Sequence, residues 1–145
     1  MTSVGGPSTK PLGKGRVPKD RIVFQNGIVA SLEYNRININ GVRFSTNEYH
    51  KNFKFENDFL QFKSGKFGVL HRIFETEYKN YFLECKILHT EVFCLDSFLV
   101  KHLHEILGVN HSILININEV DKQCIHIKTE HADFLSLAPN KIELD

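Results

Sequence analysis

Arg36-Ile37-Asn38-Ile39-Asn40-Gly41-Val42-Arg43-Phe44-Ser45 is the stretch that decides the fold. Apolar and polar side chains alternate on both sides of Asn40-Gly41, and a period of two marks half-buried strands. Asn-Gly tolerates the two positive φ angles of a type I′ turn, whose twist matches the strands it joins. The stretch predicts a tight hairpin with Ile37, Ile39, Val42 and Phe44 toward a core and Asn38 and Arg43 facing out.

The same grammar extends in both directions. Upstream, Ile22-Val23-Phe24, Gln25-Asn26-Gly27 and Ile28-Val29 predict a small hairpin around Asn26-Gly27. Downstream, Asp58 to Phe62 reads as a strand, Lys63 to Lys66 as a turn and Phe67 to Phe74 as its partner. Tyr81 to Leu88, Ser112 to Ile117, Gln123 to Thr129 and Ala132 to Leu137 complete the set. Short strands at close spacing point to a mainly β domain, a small barrel of antiparallel strands with at most one short helix. The segment 97–107 allows two readings. Asp96 caps a helix with Leu99, Leu103, Ile106 and Leu107 on one stripe, or Lys101 to Leu107 is a strand turning at Gly108 to Asn110. The strand is favoured because the isoleucine run follows at hairpin distance.

Residues 1–19 hold three of the four prolines, four glycines and few bulky apolar groups. Such text buries too little surface to offset its ordering entropy, so a disordered basic segment is expected before a single domain over 20–145. With 145 residues and 41% hydrophobic content, the chain suits one core rather than two. Most of the 12 Phe rings are expected in that core. No apolar run approaches a membrane span, and no apolar leader opens the chain, so an intracellular protein without a membrane role is expected. Cys85, Cys94 and Cys124 form no framework and fit a reducing compartment.

Catalytic and metal chemistry finds little support. Gly13-Lys14-Gly15 lacks the spacing of a phosphate loop, and no nucleophile elbow occurs. His102 and His104 would share one side of a strand, but no third zinc ligand stands at a fixed offset. Cys124 and His126 alternate onto one face, as unrelated residues often do. No catalytic residue, no metal, no cofactor and no small-molecule substrate is assigned.

Binding has more to rest on. The net charge of +1 hides +4 over residues 1–19, +4 over 36–72 and −6 over 73–145. Arg36, Arg43, Lys51, Lys54, Lys63 and Lys66 are the expected nucleic-acid contacts, interleaved with Tyr34, Phe44, Tyr49, Phe53 and Phe55. Cations would meet phosphates and aromatic faces would stack on unpaired bases.

A family likeness rests on short phrases: Tyr34-Asn35-Arg36, then Val42-Arg43-Phe44-Ser45-Thr46-Asn47-Glu48-Tyr49 and Gly65-Lys66-Phe67-Gly68-Val69-Leu70. Asp121-Lys122-Gln123-Cys124-Ile125-His126-Ile127 and Pro139-Asn140-Lys141-Ile142-Glu143-Leu144 follow. Their order resembles the C-terminal β-rich region of transposase-like proteins of CACTA-type (En/Spm-related) transposons and their domesticated copies. The resemblance implies a non-enzymatic binding module, because strand transfer in such proteins belongs to a separate upstream domain. It implies turn and core roles for Arg43, Phe44, Gly68, Cys124 and Asn140. Small barrels of similar layout also include chromatin readers of the BAH and Tudor type. That alternative expects a protein partner held by an aromatic cluster drawn from Tyr34, Tyr49, Tyr78 and Tyr81.

Overall fold

Asn40 and Gly41 both adopt positive φ, 53° and 85°, as a type I′ turn requires. In the computed structural model, which describes residues 8–47, 58–95 and 98–137, this turn joins β3 (Arg36–Ile39) to β4 (Val42–Ser45). For Leu95 and residues 98–101 the description covers the backbone alone. Ile37, Ile39 and Phe44 are buried as the alternation requires, while Val42, beside the turn, stays 39% exposed.

β3 has a second partner. Residues 9–12, inside the segment expected to be disordered, form β1 (Thr9–Leu12), which pairs antiparallel with β3. Pro11 fits because β1 is an edge strand, where a missing N–H costs no ladder bond. Ser8 and Asn40 lock the end of the pair: Asn40 N–H donates to the Ser8 carbonyl, and Ser8 N–H to Asn40 Oδ1, each at 2.8 Å.

The remaining strands are β2 (Ala30–Tyr34), β5 (Phe59–Phe62), β6 (Phe67–Thr76), β7 (Tyr81–Leu95), β8 (Phe98–Asn116), β9 (Val120–Lys128) and β10 (Asp133–Leu137). A 3-10 turn, Ile117–Glu119, links β8 to β9. The fold is mainly β, with two antiparallel sheets. In the larger one, hydrogen-bonded neighbours run from β5 through β6, β7, β8, β10 and β9 back to β5. The short β5 makes three residue pairs with each neighbour in that circuit. β2 lies beside the far end of β6. No helix among the described residues is long and apolar enough to cross a membrane.

Each side of β5 serves a different core. Phe59 joins Phe67, Leu88, Cys124 and Leu135, with Ile106 packed against them. All six strands of the circuit contribute to this cluster, so it is the filling that the circuit encloses. Leu60, one residue on, joins Leu70, Ile73 and Leu83 against Ile37, Ile39 and Phe44 of the small sheet. The two sheets therefore share one core. Gly68 is needed there: a Cβ would come within 2.7 Å of Phe62 Cζ.

Three connections use one geometry that differs from the Asn40-Gly41 turn. In each, an i→i+3 bond closes a three-residue loop whose last residue is left-handed. The bonds run Gly27 N–H to Phe24, Gly65 N–H to Phe62 and Lys79 N–H to Thr76. The hairpin expected around Asn26-Gly27 is thus a three-residue loop, Gln25 to Gly27, in which only Gly27 has positive φ. The third loop carries Lys79 at φ 62°, where glycine would be unstrained. Its ammonium lies 3.6 Å from Glu75 Oε2 but is largely exposed, so that pair contributes a few tenths of a kcal/mol. Lys79→Gly is therefore expected to stabilise the domain by about 0.5–1 kcal/mol and raise Tm by about 2–4 °C. A thermal melt showing a lower Tm would mean that the ion pair outweighs the strain.

Of the segment 97–107, residues 98–107 are strand and Ser97 lies outside the described residues; the strand does not turn at Gly108. β8 runs unbroken over 19 residues to Asn116, paired with the 15-residue β7. Gly108 is outside the positive-φ set and continues the strand. The irregularities sit instead at three register shifts on β7, at Lys86/Leu88, His89/Thr90 and Val92/Phe93.

Candidate nucleic-acid interface

The small sheet presents its two faces very differently. Ile37, Ile39 and Phe44 point into the core, so Arg36, Asn38 and Arg43 must point away from it. Lys10, Asn38 and Arg43 stand directly opposite one another in one row across the three strands. Leu12, Arg36 and Ser45 form the next row. At normal strand spacing, Lys10 and Arg43 are about 10 Å apart. None of the twelve residues of these strands is acidic. The result is an outward face with three cations, Lys10 and Arg43 exposed and Arg36 half-buried. Two of its three cations, Arg36 and Arg43, were legible as candidates. Lys10 enters because β1 pairs with β3.

Neighbouring contacts hold this surface in place. Gln123 Nε2 donates to the Arg43 carbonyl at 2.7 Å, tying β4 to β9. Gly13 passes close to the Arg36 guanidinium, where an added Cβ would lie 3.2 Å from Nη2. Asn38 Oδ1 accepts from Gly41 N–H at 2.9 Å, bracing the turn.

The other candidates lie elsewhere. Lys63 and Lys66 are exposed on the β5–β6 turn, and Lys63 N–H is fixed to the Glu119 carbonyl at 2.8 Å. Lys51 and Lys54 lie outside the described residues, as do Tyr49, Phe53 and Phe55. The proposed stacking partners Tyr34 and Phe44 are buried at 8% and 2% exposure, so neither offers a face to a base. They are core because their strands are paired on the side facing Leu60 and Leu70. Arg16 is also engaged, donating to Glu33 Oε2 at 3.3 Å and to Asn35 Oδ1 at 3.0 Å.

Two of the candidate tyrosines, Tyr34 and Tyr81, share one buried hydrogen-bond network. Tyr34 and Tyr81 donate to the two oxygens of buried Glu75, at 3.1 and 2.8 Å. Burial and the Glu75 carboxylate push both phenols above the usual tyrosine range, which keeps them protonated as donors. Tyr78 is exposed on the neighbouring turn.

A second buried carboxylate, Glu33, accepts from Arg72 Nε and Nη2 at 3.0 and 2.9 Å. Burial alone would raise its pKa, but the bond and charge of Arg72, with the charge of Arg16, hold it below the usual carboxylate range. Neither carboxylate group lies at the basic surface.

Cys85 and Cys124 are buried and His71, His104 and His126 half-buried, while Cys94, His89, His102, His111 and His131 are exposed. His104 and His126 flank Leu135 in one cross-strand row and pack against Phe67 and Phe59 inside the circuit. Burial, with the charge of His102, holds His104 below the usual histidine range. Burial also pushes the thiol of Cys124, a core residue, up to about 12. Among the described residues, no three His, Cys, Asp or Glu side chains converge on a metal site.

No family model, curated protein or solved structure matches this chain.

Proposed function

We propose that the chain is a non-enzymatic module that binds a nucleic-acid backbone on the outward face of the three-stranded sheet. The observation that carries this reading is the row Lys10–Asn38–Arg43 with Arg36 beside it, on three strands whose own twelve residues include no acid. Three cations at this spacing suit successive phosphates, and Asn38 adds a polar contact between them. With Tyr34 and Phe44 buried, recognition rests on charge and shape more than on base stacking. Descent from a CACTA-type transposase-like region agrees with the order of its sequence phrases and belongs to the same proposal.

The test is fluorescence anisotropy with labelled single-stranded and duplex 20-mers. Three phosphate contacts predict that duplex affinity falls about 40-fold between 50 and 200 mM salt. Lys10→Glu, Arg36→Glu and Arg43→Glu together are expected to lower affinity at least tenfold at low salt, with the fold checked by circular dichroism. Lys63→Glu with Lys66→Glu, on the separate turn, is expected to have the smaller effect. No binding of either oligonucleotide at low salt, or a triple variant that binds as the native chain does, would sink the reading.

A further inference from the structure

The larger sheet has an outer face with a different character. Across β7, β8, β10 and β9, one row runs Glu91, Glu105, Phe134, Ile127, each directly opposite the next. The opposite side of these strands is the filled interior that holds Leu135 and Cys124. Ile125 shares the outer side, and Ile125 and Ile127 are 51% and 40% exposed. Phe93 meets Phe134 edge-on at 5.3 Å. One end of the row is therefore acidic and the other is apolar and wet.

Both ends are unfavourable in the chain alone. Like charges directly opposite on neighbouring strands, with Cβ atoms about 5 Å apart, destabilise a sheet. Among the described residues, no Lys, Arg or His comes within 4 Å of the Glu91 or Glu105 carboxylate. Exposed Ile125 and Ile127 with half-buried Phe134 next to them form an apolar strip of the kind that marks interaction surfaces.

We propose that this face docks a cationic protein segment, with Lys or Arg side chains on Glu91 and Glu105 and aliphatic side chains on Phe134, Ile127 and Ile125. Charge complementarity selects this occupant. A second copy stacked face to face would set four carboxylates together, and a nucleic acid would be repelled by the two already present. A basic segment removes the repulsion and covers the apolar strip in one step. The surface is distinct from the small sheet, so the two can be occupied independently.

The probe is a fluorescein-labelled hexapeptide of three lysines followed by three leucines. Its controls are a three-glutamate counterpart and a version with serines for leucines. The lysine–leucine peptide is expected to bind at least tenfold tighter than either control. Glu91→Lys with Glu105→Lys should abolish that preference, and Ile127→Asn should weaken binding about fivefold, while Glu130→Lys, at a fully solvated acid elsewhere, leaves it unchanged. The proposal is overturned if Glu130→Lys weakens binding as much as the pair does, since net charge alone then explains it. It is equally overturned if no peptide binds, or if sedimentation shows a dimer that Glu105→Lys dissociates.

Discussion

Arg72→Met is expected to cost the domain about 3–5 kcal/mol, because it leaves the Glu33 carboxylate buried without its principal partner. The guanidinium meets both oxygens of Glu33 and also lies over the Phe74 ring, 4.7 Å from its centroid. Arg16 cannot substitute, since it reaches one oxygen at 3.3 Å and is half exposed. The pair also links β2 to β6, so its loss loosens the strand that carries the end of that sheet. pH gives an independent check. Glu33 has a folded-state pKa below its unfolded value, so its contribution is present above the unfolded pKa and is lost as pH falls through the folded one. Urea titrations from pH 7 downward should show the native chain losing stability below the ordinary Glu range, and Arg72→Met losing less there. Arg72→Met with Glu33→Leu should recover much of the loss. A single variant within about 1 kcal/mol of the native chain would show that Glu33 finds water or another donor.

The second large effect is expected at Gly41. Its φ of 85° is left-handed, and nothing lies within 4 Å of where a Cβ would project, so the cost of a side chain is conformational rather than steric. Val is among the poorest residues there, and Gly41→Val should cost about 1–3 kcal/mol. The damage would extend past the turn. Asn38 Oδ1 holds Gly41 N–H, and Asn40 holds Ser8, so both β4 and β1 take their register from these two residues. A one-residue slip would turn Ile37, Ile39 and Phe44 toward water. A clear drop in Tm with faster aggregation is expected, whereas Gly13→Val, although also at positive φ, lies outside this hairpin and should cost less. Equal, small effects from the two would show that the hairpin does not set the register.

What was legible followed from chemistry local in sequence. Asn40-Gly41 between alternating isoleucines specifies its own turn, and Phe59–Phe62, Gly65 and Phe67 specify the next hairpin in the same way. Errors arose where neighbours in space decide. Thr9–Leu12 has no strand signal of its own and carries a proline; it is a strand because β3 offers a free edge. Gly108 looked like a turn because glycine permits one, but β7 supplies partners on both sides of it. Lys79 occupies a left-handed position that sequence reasoning assigns to Gly or Asn. The candidate surfaces show the same division. Arg36 and Arg43 were readable from the hairpin alternation, whereas the opposition of Glu91 to Glu105, and of Lys10 to Asn38, exists only after the strands pair.

The circuit through β5 bears on how the chain assembles. β6, β7 and β8 are consecutive in sequence and can zip together by short hairpin steps. Closure must wait for Leu60 to find Gln123, about sixty residues away, and that seam is three residue pairs long. Joining distant segments spends loop entropy before it gains contacts, so this seam forms late and sets the pace of folding. In the native state an opening of the same seam would uncover the Phe59 side of the interior.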